Sequence, residues 1–365
     1  MKTIYTARGD GLGTRMLSAI YARILAQHLG LPLKVIWSPL GGASIYADYV
    51  LMHPSFLLDI FADRSMFSDP DPRIRGEILT SEEVAHIRLR SLHYSTNELS
   101  GLSRHELLGA LDESEELLYD FPGQLINFMS TEIDLRSALY AAWSKVNWSA
   151  PVRNAVGIIE KHIELPTCIA VHVRRGDILD VVNRGDLEHL VNDGMVQILQ
   201  RYTPVSAFFR QIDTSMISGD ILVCTEDEDV VRRFGDRYGI ARVASSVGLN
   251  LTENQRAATD LLLLSKARQI FAPAVSFFSH CAATVSNAHL TNTAWDLEGS
   301  IEEILTFIDR NDASRLRQVS AIAYAAASRL VIAQHPDLAS RFRAQAFHFD
   351  EMLSRQVLAE PEPAI

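Results

Sequence analysis

Only three cysteines occur in 365 residues, Cys168, Cys224 and Cys281, each inside an apolar segment and none in a C-x-x-C pair. Isolated thiols in odd number give neither a disulfide framework nor a thiolate cage for a metal, so they read as reduced core residues. Basic residues are in deficit too: 34 Lys and Arg stand against 45 Asp and Glu, a formal net charge of −11. That balance excludes a general nucleic-acid binder, which needs a basic face, and leaves room only for local basic pockets. No apolar run approaches the roughly 20 residues that cross a bilayer. The N-terminal M-K-T-I-Y-T-A-R-G-D already reads as strand and loop, without the apolar stretch and cleavage site of a signal peptide. A soluble, cytoplasmic protein with no nucleic-acid partner and no transmembrane segment is therefore expected, with peripheral membrane contact left open. Internal repeats, low-complexity tracts, a G-x-S-x-G elbow and a His–Cys cluster are all missing. Repeat architectures, serine hydrolases and transition-metal sites drop out with them.

What is present is a hydrophobic content of 47%, ample for two cores at this length. Lys2–Ala7 predicts a strand and R-G-D-G-L-G-T a glycine-rich loop. Arg15–Leu29 predicts a helix capped by Gly30, and Leu33–Trp37 the next strand, together a βαβ unit. The middle, Asp69–Asn127, is less regular, with D-P-D-P-R marking a loop. Helical patterns around 130–146 and 151–163 lead to a strand at 167–173 and a long loop through Asp193. Helix 204–214, strand 220–225, helix 227–237, strand 240–244, helix 253–267, strand 269–272 and helix 276–287 follow, and the C-terminal stretch reads helical throughout. This alternation predicts an α/β protein with two parallel, doubly wound sheets. The expected division is 1–150, 151–310 and a helical tail at 311–365.

The chemistry concentrates in Thr167–Asp177, T-C-I-A-V-H-V-R-R-G-D. An apolar, β-branched run is a strand buried on both faces, and it must have ended before two adjacent arginines. His172, Arg174, Arg175, Gly176 and Asp177 thus fall at the carboxyl end of a central strand, where open α/β sheets bind ligands. A guanidinium presents a planar fork of donors matched to phosphate, which points to a diphosphate loop. The plainer alternative is a surface ion pair between Arg175 and Asp177. The loop Gly9–Gly13 could cradle an anion on its N–H groups. As a dinucleotide fingerprint it lacks the third glycine, and no acid follows Trp37 to bind a ribose; a tight turn is the plainer reading. Glu226–Asp229 contains an Asp-x-Asp that could hold a divalent cation, but its acids also suit the first turn of the next helix, and that capping role is favoured. Asp260, beside four leucines, must sit at a solvent edge or be hydrogen-bonded. Ser276 and Ser279 stand where the next helix begins, suited to capping it or to binding a phosphate oxygen.

H-V-R-R-G-D resembles the first motif of the inverting α-fucosyltransferases that use GDP-fucose, including the α1,2, α1,6 and protein O-fucosyltransferase groups. G-L-G-T-R-M is similar to their N-terminal loop, with Thr14 where asparagine is usual. The segment from Asp260 to Ser276 is similar to their last motif, and the acidic turn after Cys224 takes the place of the middle one. The resemblance implies a GT-B-like fold, two Rossmann-like domains facing across a cleft, with the nucleotide on the C-terminal one and the acceptor on the N-terminal side. It implies that Arg174 binds the β-phosphate with Arg175 and Ser276 assisting, and that His172 and Asp260 contact the guanine. Asp177, Gly11, Gly13 and Thr14 fall among its substrate-binding positions. The implied reaction moves L-fucose from GDP-β-L-fucose to a glycan hydroxyl with inversion, without a metal or other cofactor. A base for the acceptor would come from Asp180, Asp186 or Glu188, Asp180 being favoured. A transferase for another nucleotide sugar, or a non-catalytic GDP- or glycan-binding protein, are the alternatives.

Overall fold

The strand predicted at the N-terminus forms over Thr3–Thr6 (β1), and every one of its residues is buried. It belongs to a computed structural model that describes residues 2–8, 11–37, 57–63, 66–68, 73–92, 98, 101–120, 127–175, 178, 181–183, 185–215 and 219–359. β1 is followed by the helix Leu12–Leu29, which Gly30 ends in the left-handed region at φ 69°. Leu33–Trp37 (β2), Ile74–Ile78 (β3) and Glu116–Leu118 (β4) complete a parallel sheet of order β3-β2-β1-β4. A second sheet comprises Ile169–His172 (β5), Ile221–Cys224 (β6), Val243–Ala244 (β7), Gln269–Ala272 (β8) and His289–Asn292 (β9), in the order β7-β6-β5-β8-β9. β5, β6 and β7 pair in parallel. The α/β class expected from the alternation is the one observed, and the C-terminal stretch is helical.

Both sheets have the doubly wound order. The chain runs outward from the first strand of each sheet, then returns to that strand's other side. The crevice outside the carboxyl ends at that reversal is where such sheets bind ligands. It lies between β1 and β4 in one sheet and between β5 and β8 in the other.

The chain forms two compact units. One holds residues 1–168, 248–270 and 277–290; the other holds 169–247, 271–276 and 291–365. In the first, the helix Leu12–Leu29 is buried on all sides over Leu12–Ala26, which its nearly continuous small and apolar residues permit. Even its arginines are enclosed, Arg15 over the Trp37 ring and Arg23 over that of Phe67. This helix begins three residues before the predicted Arg15. Gly13 and Thr14 are consequently in its first turn and not in the loop before it.

Gly13 is required there by packing. A Cβ at this position would lie 2.5 Å from the Phe278 Cα and 2.7 Å from the Phe277 carbonyl oxygen, both backbone atoms of the crossing helix Phe277–Thr284. Gly13→Ala should therefore destabilise the protein by about 1–3 kcal/mol, the cost of overpacking a close contact. A urea unfolding curve unchanged by the substitution would contradict this close approach.

In the second unit the tail forms three helices, Ala313–Val331, Pro336–Phe349 and Glu351–Ala359. Ile322, Ala326, Phe342 and Val357 share a core with Leu190, Ile198, Ile301 and Ile304. The loop predicted to run through Asp193 is helical over Leu187–His189, and an unpredicted helix Met195–Arg201 follows it; both pack into that core.

Candidate functional site

β5 is enclosed over Ile169, Ala170 and Val171, its last residue His172 is half-buried, and Val173 beyond it is enclosed again. The Val173 N–H still pairs with the Cys224 carbonyl at 3.0 Å. The pairing stops there, and the two arginines part company.

Arg175 turns inward and is 1% exposed. Its Nη1 donates to the carbonyls of Thr203 at 3.0 Å and Arg174 at 3.1 Å, and its Nη2 to the Glu303 carboxylate at 3.2 Å. The guanidinium lies 4.2 Å over the Tyr202 ring, whose hydroxyl burial holds above its ordinary pKa. Glu303 is itself held by Arg233 and by the Val205 N–H at 2.9 Å. The Arg175 backbone N–H donates to Glu226 at 2.7 Å. The second fork expected on the diphosphate is turned to the interior, where Nη1 and Nη2 are hydrogen-bonded while Nε has no partner among the described residues. Arg175 is buried, so it is not a surface residue. Glu303 and Tyr202, which brace this turn, carry no local sequence signal; Glu226 was visible in the sequence as part of the acidic turn after Cys224, but not as the acceptor of the Arg175 N–H.

Arg174 is partly exposed at the strand end, and its carbonyl is fixed by the Arg175 guanidinium. His172 closes β5, and its Nδ1 lies 3.2 Å from the Ser276 Oγ, which follows β8. His172, Arg174 and Ser276 thus come from the two strands that flank the reversal of the second sheet. Burial, with the Arg174 charge second, lowers the His172 pKa to about 3. The ring is neutral near pH 7, so positive charge here belongs to Arg174.

That shift has a sign. The folded value lies below the ordinary 6.5, so as pH falls the unfolded chain takes up the proton first, and stability present above pH 6.5 is lost toward pH 3. A His172→Gln variant should lose less stability than the parent between pH 6.5 and 3 in thermal unfolding. Equal losses would place the imidazole outside a burying environment.

Asp227 caps the helix Glu228–Tyr238, accepting the Asp229 N–H at 2.8 Å, and Asp229 pairs with Arg232. The capping reading of the Asp-x-Asp holds. Asp186 likewise accepts the Glu188 N–H at 3.1 Å at the start of Leu187–His189, and both side chains are exposed. The tail secures this loop: Arg315 Nη2 donates to the carbonyls of Val182 and Gly185, each at 2.7 Å, and Arg329 pairs with Asp193 at 2.9 Å. Asp177 and Asp180 lie outside the described residues.

In the first unit, Asp260 is 6% exposed within the helix Glu253–Leu264. Gly11 precedes the helix Leu12–Leu29 as its N-cap residue and has open space where a Cβ would stand. Thr14 is buried. Ser279 is fully buried inside its helix, which leaves Ser276 as the serine at the helix start.

No protein-family model and no curated protein matches the sequence. Among solved structures, the fucosyltransferase NodZ from Bradyrhizobium aligns at 14% identity over 78% of this chain and 93% of its own, with a TM-score of 0.42. The crystal structure of POFUT1 in complex with GDP-fucose aligns at 11% identity over 81% of this chain and 98% of its own, also with a TM-score of 0.42.

Proposed function

We propose that this protein is a glycosyltransferase that moves L-fucose from GDP-β-L-fucose to a glycan hydroxyl with inversion. The observation that carries the reading is the convergence of His172, Arg174 and Ser276 at the reversal point of the second sheet, within the motif that resembles the fucosyltransferases. Arg174 supplies a fork for the β-phosphate, and Ser276 a hydroxyl beside the first turn of a helix, whose N–H groups favour an anion. His172, neutral, orients Ser276 and adds no charge. Asp260 reads the guanine edge on the sequence resemblance alone.

In the proposed step the acceptor oxygen attacks the anomeric carbon from the face opposite the diphosphate. The bond from that carbon to the β-phosphate oxygen breaks, and GDP departs with the electron pair. Its developing charge is stabilised by donors already fixed in place, so no cation is required. The acceptor proton passes to a carboxylate of the 180–188 loop, for which Asp180 remains the proposal.

The test is ligand-induced stabilisation followed by turnover. A ligand at 100 times its Kd adds about 2.7 kcal/mol, so GDP and GDP-fucose should raise the unfolding midpoint where UDP and NAD do not. Transfer should continue in excess EDTA and give an α-linked fucoside by NMR. Stabilisation by UDP alone, loss of turnover on chelation with recovery on Mn²⁺, or a β-linked product would each overturn the corresponding part of the reading. Tight GDP binding with no turnover on any acceptor selects the non-catalytic binder.

A further inference from the structure

A cleft of about 330 Å³ opens in the first unit between two helices, Leu12–Leu29 and Leu135–Ser144. The first helix contributes Arg23, Ile24, Gln27 and His28, which its 3.6-residue period brings to one side. The second contributes Ala138, Ala141 and Ala142, at i, i+3 and i+4 on one face, and Lys145 follows it as the C-cap residue. Alanines along that face leave the space that longer side chains would fill. Arg23 is 2% exposed, and its guanidinium lies 4.2 Å over the Phe67 ring, so protein surrounds a permanent cation. Lys145 is exposed at the rim. His28 is turned toward Glu132, its Nε2 2.7 Å from the carboxylate, and its ring stacks on Phe128. Arg104 reaches the same Glu132 oxygen at 3.4 Å. That carboxylate is engaged from two sides, and among the described residues no Asp or Glu lines the cleft itself.

Charge and wall together define the chemistry of what fits. In a chain of net charge −11, a cleft lined by an arginine and a lysine without an acid attracts an anion that the rest of the surface repels. A guanidinium removed from water makes charge-assisted hydrogen bonds of the strong kind, and the Lys145 ammonium and Gln27 carboxamide can donate to the same head group. Ile24, Ile133 and the three alanines offer that head group nothing polar; they suit hydrocarbon, whose burial is worth about 25 cal/mol per Å². Inorganic phosphate would use the cations and leave the apolar wall unfilled. A neutral alcohol would use the wall and leave the cations, and an ammonium would be repelled. The volume falls at the small end of ligand clefts, which run from roughly 300 to 1,000 Å³.

We infer that this cleft binds a small organic anion, its carboxylate or phosphate head held by Arg23 and Lys145 and its apolar body against Ile24, Ile133 and the alanine face. The site is built from residues of the first unit alone. It depends neither on Arg174 nor on the transferase reading.

The test titrates the full chain with phenylbutyrate, phenylbutyl phosphate, phenylbutanol, phenylbutylamine and inorganic phosphate, followed by saturation-transfer NMR. At least one of the two organic anions should bind saturably, and whichever binds tells a carboxylate site from a phosphate site. The alcohol, the amine and inorganic phosphate should each bind at least tenfold more weakly. Arg23→Gln, Lys145→Glu and Ala141→Trp should each weaken the anion tenfold or more, the first two by removing charge and the third by filling the cleft. Lys145 and Ala141 are exposed, so their variants remain folded and decide the matter if Arg23→Gln does not fold. Excess GDP should leave the bound anion in place. No saturable binding by either anion, equal binding by phenylbutanol, or unchanged affinity in Lys145→Glu overturns the site. Lys145 would then be a charge that complements its helix end, and Arg23 a brace over Phe67. Displacement by GDP overturns it as well, since the probe would then occupy the Arg174 crevice. If GDP fails to stabilise the wild type while anion binding still depends on Lys145, the donor reading falls and this site stands.

Discussion

Under the proposed transferase reading, Arg174→Lys should lower sugar transfer by about 10²-fold while the unfolding midpoint stays where it was. The substitution keeps the charge and removes the geometry. A guanidinium can hold two phosphate oxygens at once in a planar fork, whereas an ammonium is a point charge on a flexible stem. Losing one such preorganised contact to developing charge costs on the order of 3 kcal/mol in the transition state. Arg174 is the residue to test because Arg175 donates to its carbonyl, holding the backbone while the side chain stays partly exposed. Both kcat and donor affinity should be read, since a contact that strengthens on charge development lowers kcat more than it weakens binding. Near-normal turnover in a folded Arg174→Lys protein would remove the phosphate clamp from the mechanism.

The sequence showed the interior of the fold better than its margins. β1, β2, β5, β6 and β8 were legible because each is a compact apolar run, and β8 forms over its predicted residues, Gln269–Ala272. The strands that the pattern misses, β3, β4 and β9, all lie at sheet edges. An edge strand pairs on one side only and is free to carry I-R-G-E-I or H-L-T-N, in which apolar periodicity fades. Glycine misled in the opposite direction. Gly11 and Gly13 read as a loop by composition, yet Gly13 is helical and small because another helix backbone crosses it. At the site, the strand-end position of Arg174 followed from the strand itself. The approach of Ser276 to His172 could only follow from strand order, since 104 residues separate them. The inward turn of Arg175 was invisible, because the groups that demand it, Thr203, Tyr202 and Glu303, arrive from distant segments.

Arg175→Ala should then behave unlike its neighbour, as a loss of stability first. The substitution empties a site that is 1% exposed, removes hydrogen bonds to two carbonyls and deprives Glu303 of a partner. Breaking a buried ion pair by deleting one member typically costs about 3–5 kcal/mol. Glu303 keeps Arg233 and the Val205 N–H, so the lower end applies, roughly 3 kcal/mol, or a fall in Tm of about 4 °C for a chain of this size. Arg175→Lys should fall between, keeping the charge near Glu303 but not the face that stacks on Tyr202 or the fork that reaches both carbonyls. Thermal unfolding of both variants beside Arg174→Lys separates the two arginines. One substitution removes activity at constant Tm, and the other lowers Tm and takes activity with it only as the Arg174 carbonyl loses its anchor. An Arg175→Ala protein as stable as the wild type but unable to turn over would return this side chain to the ligand and reverse the assignment.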